Sequence, residues 1–121
     1  MMKENDKKIN RGIDANAAFE LFSKDEGIVI DVRSIEEYLE KHIKNAISIP
    51  LDQIESRINE LPLDKKIIFV CNTGNKRCTK AYEIAADNGF DITNIYKING
   101  GTKGWIENGY PTDSTPDSVE L

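Results

Sequence analysis

Apolar residues occur in short blocks, and two of them are strand-sized. Ile28–Val32 and Ile67–Val70 are β-branched or aromatic runs that read as strands covered on both faces, as in a parallel sheet. Ala46–Ile49, closed by Pro50, and Ile95–Ile98 predict two further strands. Between them the apolar spacing turns helical. Asp14 caps a predicted helix over Ala15–Ser23, with Gly27 ending the segment. Ser34, with Glu37 three residues on, forms the capping box of a second helix that carries Glu36, Glu37, Tyr38 and Glu40, the acids forming a solvated face. Leu51, Ile54, Ile58 and Leu61 keep helical spacing up to Pro62. Thr79–Asn88 predicts a helix with Ala81, Ile84 and Ala85 inward and Gly89 at its end. Gly100 and Gly101 turn the chain into a short helix holding Trp105, a packing residue. Strands alternating with helices specify an α/β sandwich with a mainly parallel central sheet.

The chain of 121 residues supports one core. Residues 1–10 and 112–121 are polar and read as tails around a domain of residues 11–111. No apolar run approaches the ~20 residues of a membrane helix, and the charged N-terminus lacks the apolar stretch of a secretory signal, so a cytoplasmic location is expected. Sixteen basic against 21 acidic residues leave a net charge of −5, which argues against nucleic-acid or membrane partners. A single histidine, His42, excludes a multi-histidine metal site. It follows a helix, and it is expected to satisfy backbone groups rather than act as a base. Two cysteines are too few for a disulfide scaffold or a four-thiolate zinc site, and neither metal nor cofactor is expected.

The chemistry concentrates in Cys71-Asn72-Thr73-Gly74-Asn75-Lys76-Arg77-Cys78, which joins the end of a buried strand to a helix. In open α/β sheets ligands bind at such strand ends. A tight loop there turns its backbone N–H groups inward, Gly74 allows the curl, and Lys76 and Arg77 add charge. A thiol in that cradle is acidified, so Cys71 is the candidate nucleophile, with Asn72, Thr73, Gly74, Asn75, Lys76 and Arg77 as candidate anion-binding residues. An inert core cysteine is the competing reading. A cation at a helix start opposes the helix dipole, so Arg77 calls for a compensating anion, such as a substrate. Cys78 is either a small buried residue or a resolving thiol for Cys71. Asp31 and Arg33 end a strand near the loop. They form an internal ion pair or tune the site.

With these residues in order, the sequence resembles the rhodanese family over nearly its whole body. Ile30-Asp31-Val32-Arg33, Glu37-Tyr38, His42-Ile43, Ala46 and Ile49-Pro50 follow the N-terminal pattern, and Cys71 to Arg77 is similar to the active-site loop. Asn99-Gly100-Gly101, Trp105 and Gly109-Tyr110-Pro111 follow the C-terminal signature. The resemblance implies the rhodanese three-layer α/β fold. It also implies sulfurtransferase chemistry, in which Cys71 takes a sulfane sulfur from a donor such as thiosulfate. The persulfide then passes it to cyanide, a cellular thiol or a thiol carrier protein.

Two features depart from the family pattern. Glycine usually stands where this chain has Lys41 and Asn45; Asn45 tolerates the left-handed turn. Arg77 falls one position late, giving Cys-x5-Arg, which resembles the arsenate-reductase and phosphatase branches of the fold. Those branches carry histidine before the cysteine, where this chain has Val70, and the Cys-x-x-Gly pattern follows the sulfurtransferases. Sulfur transfer leads on that ground. Arsenate reduction or phosphate hydrolysis, and a non-catalytic sensing or binding module, are the alternatives.

Overall fold

The computed structural model describes residues 12–73 and 76–114; the N-terminal tail, Gly74, Asn75 and residues 115–121 lie outside it. Among the described residues, seven strands and four helices follow in the order β1 (Gly12–Ile13), α1 (Ala15–Ser23), β2 (Gly27–Asp31), α2 (Ile35–Glu40), β3 (His42–Ile43), β4 (Ile47–Ser48), β5 (Lys66–Val70), α3 (Lys76–Asp87), β6 (Ile95–Ile98), α4 (Gly101–Glu107) and β7 (Thr112–Asp113). Five strands form one sheet in the order β1-β6-β5-β2-β4, every pair parallel. β5, central in that order, ends at Val70, one residue before Cys71.

Period-two alternation divides the core. Ile67, Phe69 and Cys71 face one layer, with Cys78, Ala81, Tyr82 and Ala85 of α3. Ile68 and Val70 face the other, with Ala15 and Ala18 of α1 and Trp105 of α4. The result is the expected three-layer sandwich. Trp105 is fully buried, packs edge-on against Phe19 and Phe22, and donates from Nε1 to the Pro111 carbonyl at 2.7 Å. It is a packing residue, as the sequence suggested.

Several expectations need correction. The helix predicted across Leu51–Leu61 is two 3-10 turns, Leu51–Gln53 and Ile58–Glu60. Prolines confine the segment, and short polar residues such as Ser56, which donates to the Gln53 carbonyl, favour turns over helix. The turns still bury Ile54 and Leu61, so the helical spacing reported burial correctly and geometry wrongly. The helix predicted from Thr79 begins at Lys76, and its fully buried stripe is Cys78-Ala81-Tyr82-Ala85, with Ile84 only partly buried. Thr112 and Asp113, assigned to the C-terminal tail, pair antiparallel with Ile43 and His42. Asn45 takes the left-handed conformation (φ +67°) foreseen for it. Lys41 has φ −168°, extended backbone that any residue adopts, so no glycine is required there.

Candidate functional site

Three chain segments build the site at the C-terminal end of the sheet. β5 delivers Cys71. β2 pairs with β5 in a register that sets Asp31 beside Val70, which brings Asp31 and Arg33 to the same end. The start of α4 packs under the loop: Thr102 N–H donates to the Cys71 carbonyl at 2.8 Å and Lys103 N–H to the Asn72 carbonyl at 3.1 Å. That approach requires glycine. Gly101 has φ +62°, and a Cβ on it would lie well inside contact distance of the Cys71 and Asn72 backbone. The Gly100-Gly101 pair therefore anchors the loop's carbonyls from below.

Cys71 is 3% exposed and forms, with Asn72, Thr73, Lys76 and Arg77, the lining of a small cavity of about 250 Å³. Its side chain follows Phe69 toward α3. There Cys78, 1% exposed, points its thiol at Cys71 with a sulfur–sulfur distance of 3.4 Å. Cys78 is thus the small buried residue of the first reading, and it also touches the candidate nucleophile. The contact ranks first among the influences on Cys71, whose pKa falls from the ordinary 9.0 to about 6. The Cys78 thiol donates to the Cys71 thiolate, burial opposes ionisation, and the Cys78 and Asn72 backbone N–H groups and the Arg77 charge favour it. The amide cradle expected from sequence thus acts second to a neighbouring thiol. Cys78 is pushed strongly up by the same hydrogen bond and by burial, so it keeps its proton while Cys71 loses one.

Arg77 already has an anion. It donates to Glu37 at 2.9 Å through Nη1 and 3.5 Å through Nη2. The compensating charge inferred for Arg77 is thus supplied by α2 rather than by a substrate alone. In the sequence Glu37 is a capping-box residue on a solvated face and a member of the family's N-terminal pattern. It does close that box, accepting from the Ser34 backbone, and also binds α3. The Arg77 hydrogen bond, ahead of those from Ser34, holds its carboxyl down at about 2. Forty residues separate the partners, and the capping motif already accounted for Glu37, so no sequence signal marked the contact.

Asp31 and Arg33 form the internal ion pair expected. Arg33 Nε lies 3.0 Å from Asp31 Oδ1 and Nη2 2.8 Å from Oδ2, both residues are buried, and Nη2 also donates to the Lys41 carbonyl at 2.7 Å. His42 Nδ1 meets the Tyr38 carbonyl at 2.7 Å and its ring stacks on Tyr38, consistent with a structural role. Beside the Cys71 mouth runs a larger cleft of about 590 Å³, lined among others by Arg33, Glu37, Lys41, Asn72 and Lys103. Among the described residues no cluster of three or more potential metal ligands occurs, and no helix is long and apolar enough to cross a membrane.

Comparison with known proteins accords with this arrangement. The chain is 38% identical over 77 residues to the uncharacterized protein YqhL of Bacillus subtilis, covering 64% of this chain and 59% of that protein. It is 42% identical over 48 residues to the "Putative sulfur carrier protein YrkF" of the same organism, covering 40% of this chain and 26% of that one. The chain thus spans less than two thirds of the length of these curated relatives. Among solved structures, a rhodanese-related protein of Thermoplasma volcanium superposes with a TM-score of 0.74 at 33% identity, covering 85% of this chain and 97% of that one. A family model described as the rhodanese-like domain matches residues 14–108, so the chain belongs to the rhodanese-like domain family.

Proposed function

We propose that the protein is a sulfurtransferase in which Cys71 takes a sulfane sulfur from a small donor such as thiosulfate and passes it to a thiophilic acceptor. Family membership supports a sulfur-related function in general. The observation that carries the specific reading is the acidified Cys71 thiol, which opens at the end of the central strand into a cavity lined by Lys76 and Arg77. A thiolate at neutral pH needs no base, and His42, the only histidine, is engaged elsewhere. The thiolate attacks the outer sulfur of the donor, the donor's S–S bond breaks, and sulfite leaves from thiosulfate. The cations at the mouth and the Asn72 amide offset the anionic charge. The acceptor, cyanide or a cellular thiol, free or on a carrier protein, then removes the sulfur. The engagement of Arg77 by Glu37 disfavours a phosphatase or arsenate-reductase role, which would need that guanidinium as a two-oxygen clamp.

The test is thiocyanate formation from thiosulfate and cyanide, with intact mass reporting an added sulfur and Cys71→Ser as control. Parallel reactions use an aryl phosphate and arsenate plus thiol. Thiocyanate without phosphate release is expected. Phosphate release or arsenate reduction instead would replace the proposal with that alternative, and Cys71→Ser matching wild type throughout would leave only a binding module.

A further inference from the structure

We propose that Cys78 is a second catalytic thiol that resolves the Cys71 persulfide into a Cys71–Cys78 disulfide and expels the transferred sulfur as hydrosulfide. This rests on the sulfur-transfer reading above and adds an internal acceptor to it.

The geometry carries the inference. The two sulfurs stand 3.4 Å apart, a distance from which nucleophilic attack proceeds. Bond formation closes that gap to the ~2.05 Å of a disulfide. Helix α3 holds Cys78 in place: it is the first member of the buried Cys78-Ala81-Tyr82-Ala85 stripe. At 1% exposure it sits behind Cys71, and Cys71 is the thiol it reaches. Its sulfur is aimed at the candidate nucleophile.

The chemistry balances without an outside oxidant, because the sulfane sulfur is the oxidant. Thiosulfate and the Cys71 thiolate give a Cys71 persulfide anion and sulfite. The Cys78 sulfur then attacks the inner sulfur, which is Cys71 Sγ. The Cys71–sulfane bond breaks, its electron pair leaves on the outer sulfur, and the Cys78 proton goes with it as hydrosulfide. Two thiols are oxidised to a disulfide while the sulfane sulfur is reduced to sulfide. The charge distribution favours this order. While Cys71 is a thiolate it accepts the Cys78 hydrogen bond and keeps Cys78 protonated. Once sulfur has added, the negative charge lies one atom farther out, toward Lys76 and Arg77, and Cys78 faces a neutral, attackable sulfur. Further cycles require a dithiol reductant to reopen the disulfide.

The experiment treats the full-length protein anaerobically, free of added thiols, with thiosulfate or inorganic polysulfide. It then measures sulfide and sulfite in the thiosulfate arm, where sulfide arises only from the second step, and alkylated intact mass in both arms. Wild type is expected to release one sulfide per chain and stop, and to be two hydrogens lighter than the reduced chain, with peptide mapping joining Cys71 to Cys78. Cys78→Ser keeps a hydrogen-bond donor beside Cys71 but forms no disulfide. It and Cys78→Ala are expected to retain one extra sulfur on Cys71, with sulfide release lost. A wild-type chain that keeps the extra sulfur and releases no sulfide overturns the inference while leaving sulfur transfer intact. No sulfur loading on wild type or either variant, from either donor, overturns sulfur transfer and this inference with it. The wild-type peptide map decides the question even if a variant misfolds.

Discussion

Replacing Gly101 by alanine tests whether α4 holds the loop in place. Two costs add. Alanine at φ +62° carries about 1–2 kcal/mol of left-handed strain. Its Cβ would also press into the Cys71 and Asn72 backbone, so α4 must withdraw and lose the Thr102 and Lys103 N–H bonds to those carbonyls. At about 1 kcal/mol each these bring the total to about 3–4 kcal/mol. Gly100→Ala is the control. It shares the positive φ, at +86°, but its nearest neighbour is Gly104 Cα at 3.6 Å, so it should cost only the strain, about 1–2 kcal/mol. Urea unfolding with a common slope measures both, and sulfur loading measures the site. Gly101→Ala should be the less stable and the slower to load. Equal destabilisation of the two variants, with loading unaffected, would refute the claim that close approach to the loop is what glycine serves there.

Other residues give further expectations. Asp31→Asn leaves Arg33 buried without its anion, and urea unfolding should show a loss of about 3–5 kcal/mol; a loss below 1 would mean that water or Lys41 already serves that guanidinium. Glu37→Gln should cost about 1 kcal/mol near neutrality, a value discounted because both side chains are over a third exposed. The Glu37 carboxyl is held at about 2 in the fold against an ordinary 4.5. Its contribution is therefore full above about 4.5 and fades as pH falls toward 2, and the wild-type and variant stability curves should converge there. Curves that run parallel through this window would contradict the Glu37–Arg77 coupling.

The long apolar blocks revealed the sheet because each is long enough to show a period: Lys66–Val70 and Gly27–Asp31 lie within a residue or two of the predicted strands. Three of the four two-residue strands among the described residues, Gly12–Ile13, His42–Ile43 and Thr112–Asp113, carry no period and exist through their pairing. The Cys71 position was legible from strand, loop and helix order. Its contact with Cys78 was latent in two periodicities. Alternation from Phe69 puts Cys71 on the α3 side, and the spacing from Ala85 back through Ala81 puts Cys78 on the inward stripe. Cys78 is accordingly expected as a small buried residue at the helix start, which its place on the stripe bears out. The Glu37–Arg77 pair depends on how α2 docks beside α3, and no local pattern encodes that.

The ionisation of Cys71 tests the central claim most directly. Thiolate ultraviolet absorbance, followed against pH for wild type and for Cys71→Ser, isolates that one group by difference. The expected curve has its midpoint near 6, so that roughly 90% of Cys71 is ionised at neutral pH. A midpoint at or above the ordinary thiol value of 9.0 would contradict it.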